Sequence, residues 1–269
     1  AKATTRSYRM RHTAMNDTTQ TGTVIIKGDK NAEIASCCKR LKLSRNLAVN
    51  SAAITSEDPQ EYLLELLREE VDYREKIKTE RLIKTAGFYT RKQFDGFSFD
   101  EVKLPKDVTP EYLREGRFIQ ETKNLILYGN VGTGKTHLAE AIGMEACKRG
   151  QKVGFYRTAL LVNQLADARK AGTYTKTLTA LRKLDLLICD EWGYVPMDRT
   201  AAQLLFQVIS DSYEKRSVII TTNLEFSRWV GIFYDEQMTA AMIDRLVHHS
   251  YILLFDGQSN RVRDSLMRA

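Results

Sequence analysis

The chain has 269 residues, 43% hydrophobic and 28% charged, which suits one sizeable buried core with a small satellite. Its apolar runs, such as Leu125–Tyr128 and Leu184–Cys189, fall far short of the roughly 20 residues a membrane span needs, which excludes an integral α-helical membrane protein. A formal net charge of +7 fits a polyanionic partner but equally fits solubility, so charge alone assigns none.

Residues 1–30 are rich in Thr, Gly and basic side chains and are expected to form a flexible basic arm with no assigned role. The stretch Ala1–Arg6 lacks the apolar core of a secretory signal, so a cytoplasmic location is expected. Cys37, Cys38, Cys147 and Cys189 show no CxxC spacing and no nearby His partner, and read as reduced structural thiols.

From 31 to 95 the pattern turns helical. Ile34, Cys37, Cys38 and Leu41 recur at i, i+3, i+4, i+7, and Asp58-Pro59 supplies an N-cap and a first-turn proline for a second helix with Tyr62, Leu63, Leu66 and Leu67 on one face. Mixed charges over 74–81 mark a solvated face. These features predict a small all-helical N-terminal domain. Gly96, Pro105 and Pro110 place a linker at 96–120.

Residues 121–269 alternate short apolar runs with amphipathic stretches, the signature of β/α units around a parallel sheet. Five strands are predicted, at 124–128, 152–157, 185–189, 217–222 and 251–255. Most are continuous apolar runs, as expected of strands buried on both faces.

The first strand leads into Gly129-Asn130-Val131-Gly132-Thr133-Gly134-Lys135-Thr136-His137, which fits GxxxxGK[ST]. Glycines let successive backbone N–H groups curl toward phosphate oxygens, and the following helix aims its positive end at the same anion. Lys135 is expected on the β and γ phosphates of ATP, with the Thr136 hydroxyl on Mg²⁺. The third strand ends in Asp190-Glu191, a Walker B element. Asp190 is expected to hold the metal and Glu191 to polarise a water for attack on the γ-phosphate. Asn223, closing the fourth strand, is either a turn residue or the amide that positions that water. Arg245, on a helical stretch beside Asp244, is either half of a surface ion pair or an arginine finger for a neighbouring subunit. His248 and His249 point to different faces of a helix, so chelation is not expected.

This order of motifs resembles the IstB and DnaC branch of AAA+ ATPases from about Asn31 to the C-terminus. The resemblance rests on the phosphate loop through His137, Cys-Asp-Glu-Trp-Gly at 189–193, Thr-Thr-Asn-Leu at 221–224 and Asp-Arg-Leu-Val-His-His-Ser at 244–250. It implies an α/β AAA+ fold whose five-stranded parallel sheet follows the helical domain, a sensor role for Asn223 and a finger role for Arg245. The Trp-Gly and His-His-Ser segments are closer to IstB, the helper ATPase of bacterial insertion sequences. That family implies ATP-dependent assembly as a homo-oligomeric ring or spiral on double-stranded DNA, bending of the target and recruitment of a partner transposase. Where the branch often has Ser-Tyr-Arg, this chain has Ser259-Asn260-Arg261-Val262-Arg263, so no sensor role is assigned to Arg261 or Arg263.

If subunits encircle DNA, the basic candidates are Arg169, Lys170, Lys176, Arg182 and Lys183, which with Tyr174, Gly172 and several threonines suit a loop contacting phosphates without reading bases. A solvated helix face is the alternative. Two other functions compete. A helicase loader differs mainly in its partner, and a small-molecule kinase would avoid the water-activating Glu191.

Overall fold

A computed structural model describes residues 30–194, 197–233 and 235–260. The chain divides into two compact units, ending and beginning at Val71 and Asp72. The first unit holds α1 (Lys30–Leu41), α2 (Asn46–Asn50) and the start of α3 (Pro59–Ala86). Asp58 caps α3 as expected, its carboxylate accepting from Gln60 N–H at 2.9 Å. The buried Glu70 carboxylate accepts from Ser44 N–H at 3.0 Å and the Ser44 hydroxyl at 2.5 Å, fixing the turn after α1. Cys38 and Leu47 are buried, whereas Cys37, Leu41, Leu63 and Leu67 are exposed. The face expected from Leu63 and Leu67 is therefore not an internal one in this unit.

The second unit begins inside α3. It continues through a turn of 3₁₀ helix at Phe94–Gly96, β1 (Val102–Lys103), α4 (Pro110–Glu115), α5 (Arg117–Gln120), β2 (Asn124–Gly129), α6 (Lys135–Lys148), β3 (Val153–Arg157) and α7 (Thr158–Lys170). Then come α8 (Tyr174–Arg182), β4 (Leu186–Asp190), α9 (Arg199–Ser212), β5 (Ser217–Thr222), α10 (Val230–Phe233), α11 (Glu236–Val247) and β6 (Ser250–Phe255). The sheet has the order β1-β6-β2-β5-β4-β3, with β2 to β6 parallel and β1 antiparallel on the edge. The five predicted strands are all present, within a residue or two of their expected ends, and the sheet has six strands rather than five. The added strand is two residues long, too short to leave a periodic signal, and its register of Val102 against Phe255 is a tertiary contact.

Alternation along the strands divides the core. Leu125, Leu127, Leu186, Ile188 and Ile219 face α4, α5 and α6, whereas Leu187, Cys189, Val218 and Ile220 face α7, α9 and α11. The stretch 96–120, read as a linker from its Gly and Pro residues, carries β1, α4 and α5, and its Val108, Leu113 and Phe118 lie in the first of these clusters. The segment predicted as a basic loop is largely α8. Its Arg182 makes two bonds to Asp211 Oδ2, at 3.0 and 2.8 Å, tying α8 to α9.

Helix α6 packs against the sheet through Gly143, where an added Cβ would lie 2.7 Å from the Phe88 ring and 3.0 Å from Ile188. Helix propensity alone favours alanine there by about 1 kcal/mol. Overpacking reverses the sign, so Gly143→Ala is expected to lower stability by about 1–2 kcal/mol in denaturant unfolding. An unchanged or raised midpoint would show that Phe88 gives way.

Candidate functional site

The site lies at the C-terminal ends of the parallel strands, where a doubly wound sheet opens a crevice. The chain leaves β2 at Gly129, whose φ is 152° and where any Cβ would stand 2.1 Å from the Phe255 carbonyl oxygen. Glycine is required there by the close approach of β6. Gly134 (φ 96°) caps α6 in a left-handed conformation, so that helix begins directly at Lys135. The Lys135 ammonium donates to Gly129 O at 2.8 Å and to Asn130 O, lying across the loop it belongs to.

Strand β4 ends in the two acidic residues. Asp190 is 2% exposed, and its Oδ1 accepts from the Thr136 hydroxyl at 2.9 Å and the Thr221 hydroxyl at 2.5 Å. Its own carbonyl accepts from the buried Thr158 hydroxyl at 2.8 Å, fixing the strand end. Glu191 turns out of the strand with φ 56°, an uncommon backbone for a residue with a Cβ. Its carboxylate lies 3.6 Å from Arg157 Nε, and the Arg157 guanidinium in turn lies 4.5 Å from the centre of the Tyr89 ring. The next residue, Trp192, is wholly buried against Trp229 and Phe233. The Trp-Gly segment of the motif is thus core that anchors the acidic turn.

A cavity of about 490 Å³ gathers these groups. Gly132, Lys135, Thr136, His137, Asp190, Glu191 and Asn223 line it, together with Tyr89, Thr90, Lys92, Glu140, Arg157, Thr221 and Asn260. The first seven were expected from sequence and the second seven were not. Glu140, 1% exposed in the middle of α6, accepts from Thr90 N–H at 3.0 Å, Thr90 Oγ1 at 2.5 Å and Lys92 N–H at 3.4 Å, and so holds the loop 89–92 against the cavity. A carboxylate inside the apolar run Leu138–Met144 was the one sequence signal for it. Asn260 N–H donates to Gly132 O at 2.9 Å, placing this residue on the phosphate loop. His137 Nε2 lies 2.9 Å from Gln93 O, and its ring stacks edgewise on Phe97.

Arg245 is not among the residues lining this cavity. It donates to Ala241 O at 2.9 Å and lies 5.1 Å over the Phe206 ring. The five basic candidates are all exposed on α7 and α8 or at the end of α8. Arg261 and Arg263 lie outside the described residues. Among the described residues there is no group of three His, Cys, Asp or Glu side chains placed to hold a metal. Burial pushes the thiols of Cys147 and Cys189 up to about 12, leaving them unreactive. No helix among the described residues is long and apolar enough to cross a membrane.

A parallel sheet with a glycine-rich phosphate loop, a buried strand-end aspartate and an adjacent glutamate is a P-loop ATPase of the AAA+ class. The fold is shared with AMPPCP-bound DnaA from Aquifex aeolicus, at TM-score 0.51 and 19% identity over 68% of this chain and 57% of that one. It is shared likewise with DnaI, at TM-score 0.51 and 20% identity over 64% of this chain and 91% of that one. Residues 39–268 match the family model of the IstB-like ATP binding protein, and the chain belongs to that family. It is 36% identical to the insertion sequence IS232 ATP-binding protein of Bacillus thuringiensis subsp. berliner, over 76% of this chain and 82% of the relative. It is 38% identical to the corresponding IS5376 protein of Geobacillus stearothermophilus, over 77% and 83%. The protein accordingly binds ATP and is an ATPase.

Proposed function

We propose that this chain is the ATP-dependent helper of an insertion-sequence transposase: it assembles in several copies on target DNA, bends it and recruits the partner that performs insertion. The observation that carries this reading is the division of the ATP site. Lys135, Thr136, Asp190, Glu191 and Asn223 line one cavity, while Arg245 stands apart on α11. On this reading Arg245 serves as a finger for the γ-phosphate bound by a neighbouring copy, and ATP becomes the joint between subunits. The relatives named for insertion sequences supply the context of transposition.

Within one subunit, the loop 129–136 would receive the phosphates. The base would face a second opening of about 490 Å³ beside Phe97, Ser98, Val102 and Asn260. Thr136 and Asp190 present adjacent hard oxygen donors, which suit Mg²⁺, an ion that takes few protein ligands beside nucleotide phosphates. Bound there, Mg²⁺ would neutralise developing phosphate charge. Glu191 would accept the proton of the attacking water, and Asn223 would orient that water by its amide. Glu191 at the cavity wall favours hydrolysis over the kinase reading, since a kinase excludes an activated water. A helicase loader stays the alternative partner assignment.

Electron microscopy with ATP and duplex DNA tests the reading. Rings or spirals around bent DNA are the expected result, and a monomer indifferent to DNA would overturn it.

DNA contact is assigned to Arg169, Lys176 and Lys183, with Lys170 weaker because it pairs with Asp167 at 3.9 Å. Arg182 is already engaged by Asp211 and is expected to contribute to α8 packing. Replacing Arg169, Lys176 and Lys183 by alanine should lower the slope of log affinity against log salt by about three. An unchanged slope would place the DNA elsewhere.

A further inference from the structure

The Thr221 hydroxyl joins the two acidic residues of the site. Thr221 lies one residue before the end of β5 and is 2% exposed. Its hydroxyl donates to Asp190 Oδ1 at 2.5 Å and accepts from Glu191 N–H at 3.0 Å. One hydroxyl orientation satisfies both bonds, since the single proton goes to the carboxylate and a lone pair takes the amide. The Thr221 carbonyl accepts from Trp192 N–H at 2.8 Å, and the neighbouring Thr222 hydroxyl donates back to Trp192 O at 3.0 Å. One residue of β5 therefore grips three successive positions at the end of β4: the side chain of 190 and the backbone amides of 191 and 192.

That grip explains how Glu191 keeps φ 56°. A left-handed backbone at a non-glycine residue persists only where its surroundings hold it, and here the holding bond comes from a threonine side chain. The same hydroxyl sets the rotamer of the carboxylate that faces Thr136.

We propose that Thr221 is a positioning residue for ATP hydrolysis, fixing Asp190 for the metal and the Glu191 turn for the attacking water with one hydroxyl. The proposal rests on the reading of Asp190 and Glu191 as the metal-holding and water-activating carboxylates. Because Asn223 follows two residues later, the bond also ties the end of β5 that carries Asn223 to the acidic end of β4.

Thr221→Val keeps the shape and removes both bonds. It is expected to lower kcat about 10–100-fold and to raise about tenfold the Mg²⁺ concentration needed for tight binding of a fluorescent ATP analogue, the range set by other residues that orient metal ligands. Binding of that analogue without Mg²⁺ should be unchanged. Thr221→Ser should restore both properties to within about threefold of the wild type, as the hydroxyl alone requires. Wild-type turnover and Mg²⁺ dependence in the valine variant would overturn the proposal. So would a serine variant as impaired as the valine one, since methyl packing would then be the cause. If the valine variant does not fold, Thr221→Ala, which only removes atoms, takes its place with the same expected outcomes. Glu191→Gln measured in parallel separates the two levels: full turnover there removes the underlying reading, whereas loss there with none in Thr221→Val removes Thr221 alone.

Discussion

Arg245→Ala is expected to lower ATP turnover about 10³–10⁵-fold while the variant still binds ATP, the range measured for arginine fingers. The reason is geometric. In the single chain the guanidinium rests on Ala241 O and the Phe206 ring, outside the cavity that holds the phosphate loop. On the proposed reading its effect on the γ-phosphate crosses a subunit boundary, and the loss should then be rescuable. A Lys135→Ala subunit should bind no nucleotide yet still offer Arg245. Equal mixing with Arg245→Ala subunits should restore about one quarter of wild-type activity, because a random head-to-tail array pairs an intact phosphate loop with an intact finger at about one interface in four. Failure of mixing to restore activity would assign Arg245 to its own subunit. Normal turnover of Arg245→Ala would leave it a packing residue of α11 on α9.

Glu191→Gln is expected to lower kcat about 10²–10³-fold, or about 3–4 kcal/mol in the barrier, with nucleotide affinity retained. The amide keeps the size of the side chain and its backbone bond to Thr221, and it loses the capacity to take a proton from water. The contrast with Lys135 is informative. Lys135 bonds to the carbonyls of the loop that would surround the phosphates, so Lys135→Ala should weaken binding itself. A glutamine variant that turns over ATP at the wild-type rate would transfer the role of base elsewhere in the cavity. Glu140, the remaining carboxylate at the cavity wall besides Asp190, would then be the residue whose replacement should be measured next.

What was legible in the sequence was local. The phosphate loop, Asp190 and Glu191 are contiguous runs whose chemistry depends on spacing within a few residues. The central strands could be read because both their faces are buried, leaving apolar runs such as Leu125–Leu127 and Leu186–Cys189. Where the reading failed, the deciding contact came from elsewhere in the chain. Gly96, Pro105 and Pro110 punctuate the chain as a linker would, yet Val108, Leu113 and Phe118 are buried because helix α6 and the sheet offer them a surface. Leu63 and Leu67 have the period of a buried face and are 53% and 47% exposed. Arg182 reads as a lone surface cation, yet it makes an ion pair with Asp211, 29 residues away.

The same division runs through the site. By itself the sequence determined that this protein has a phosphate loop at Gly129–Thr136 and an acidic strand end at Asp190-Glu191, because each is written in adjacent residues. Only the tertiary structure decided that Thr90, Glu140, Arg157, Thr221 and Asn260 share their cavity, and that Arg245 does not. A hydrogen bond such as that from Thr221 to Asp190 spans 31 residues of sequence and 2.5 Å of space. Nothing in the local pattern of either segment encodes that contact, and it exists because parallel strands bring their C-terminal ends to one edge of the sheet.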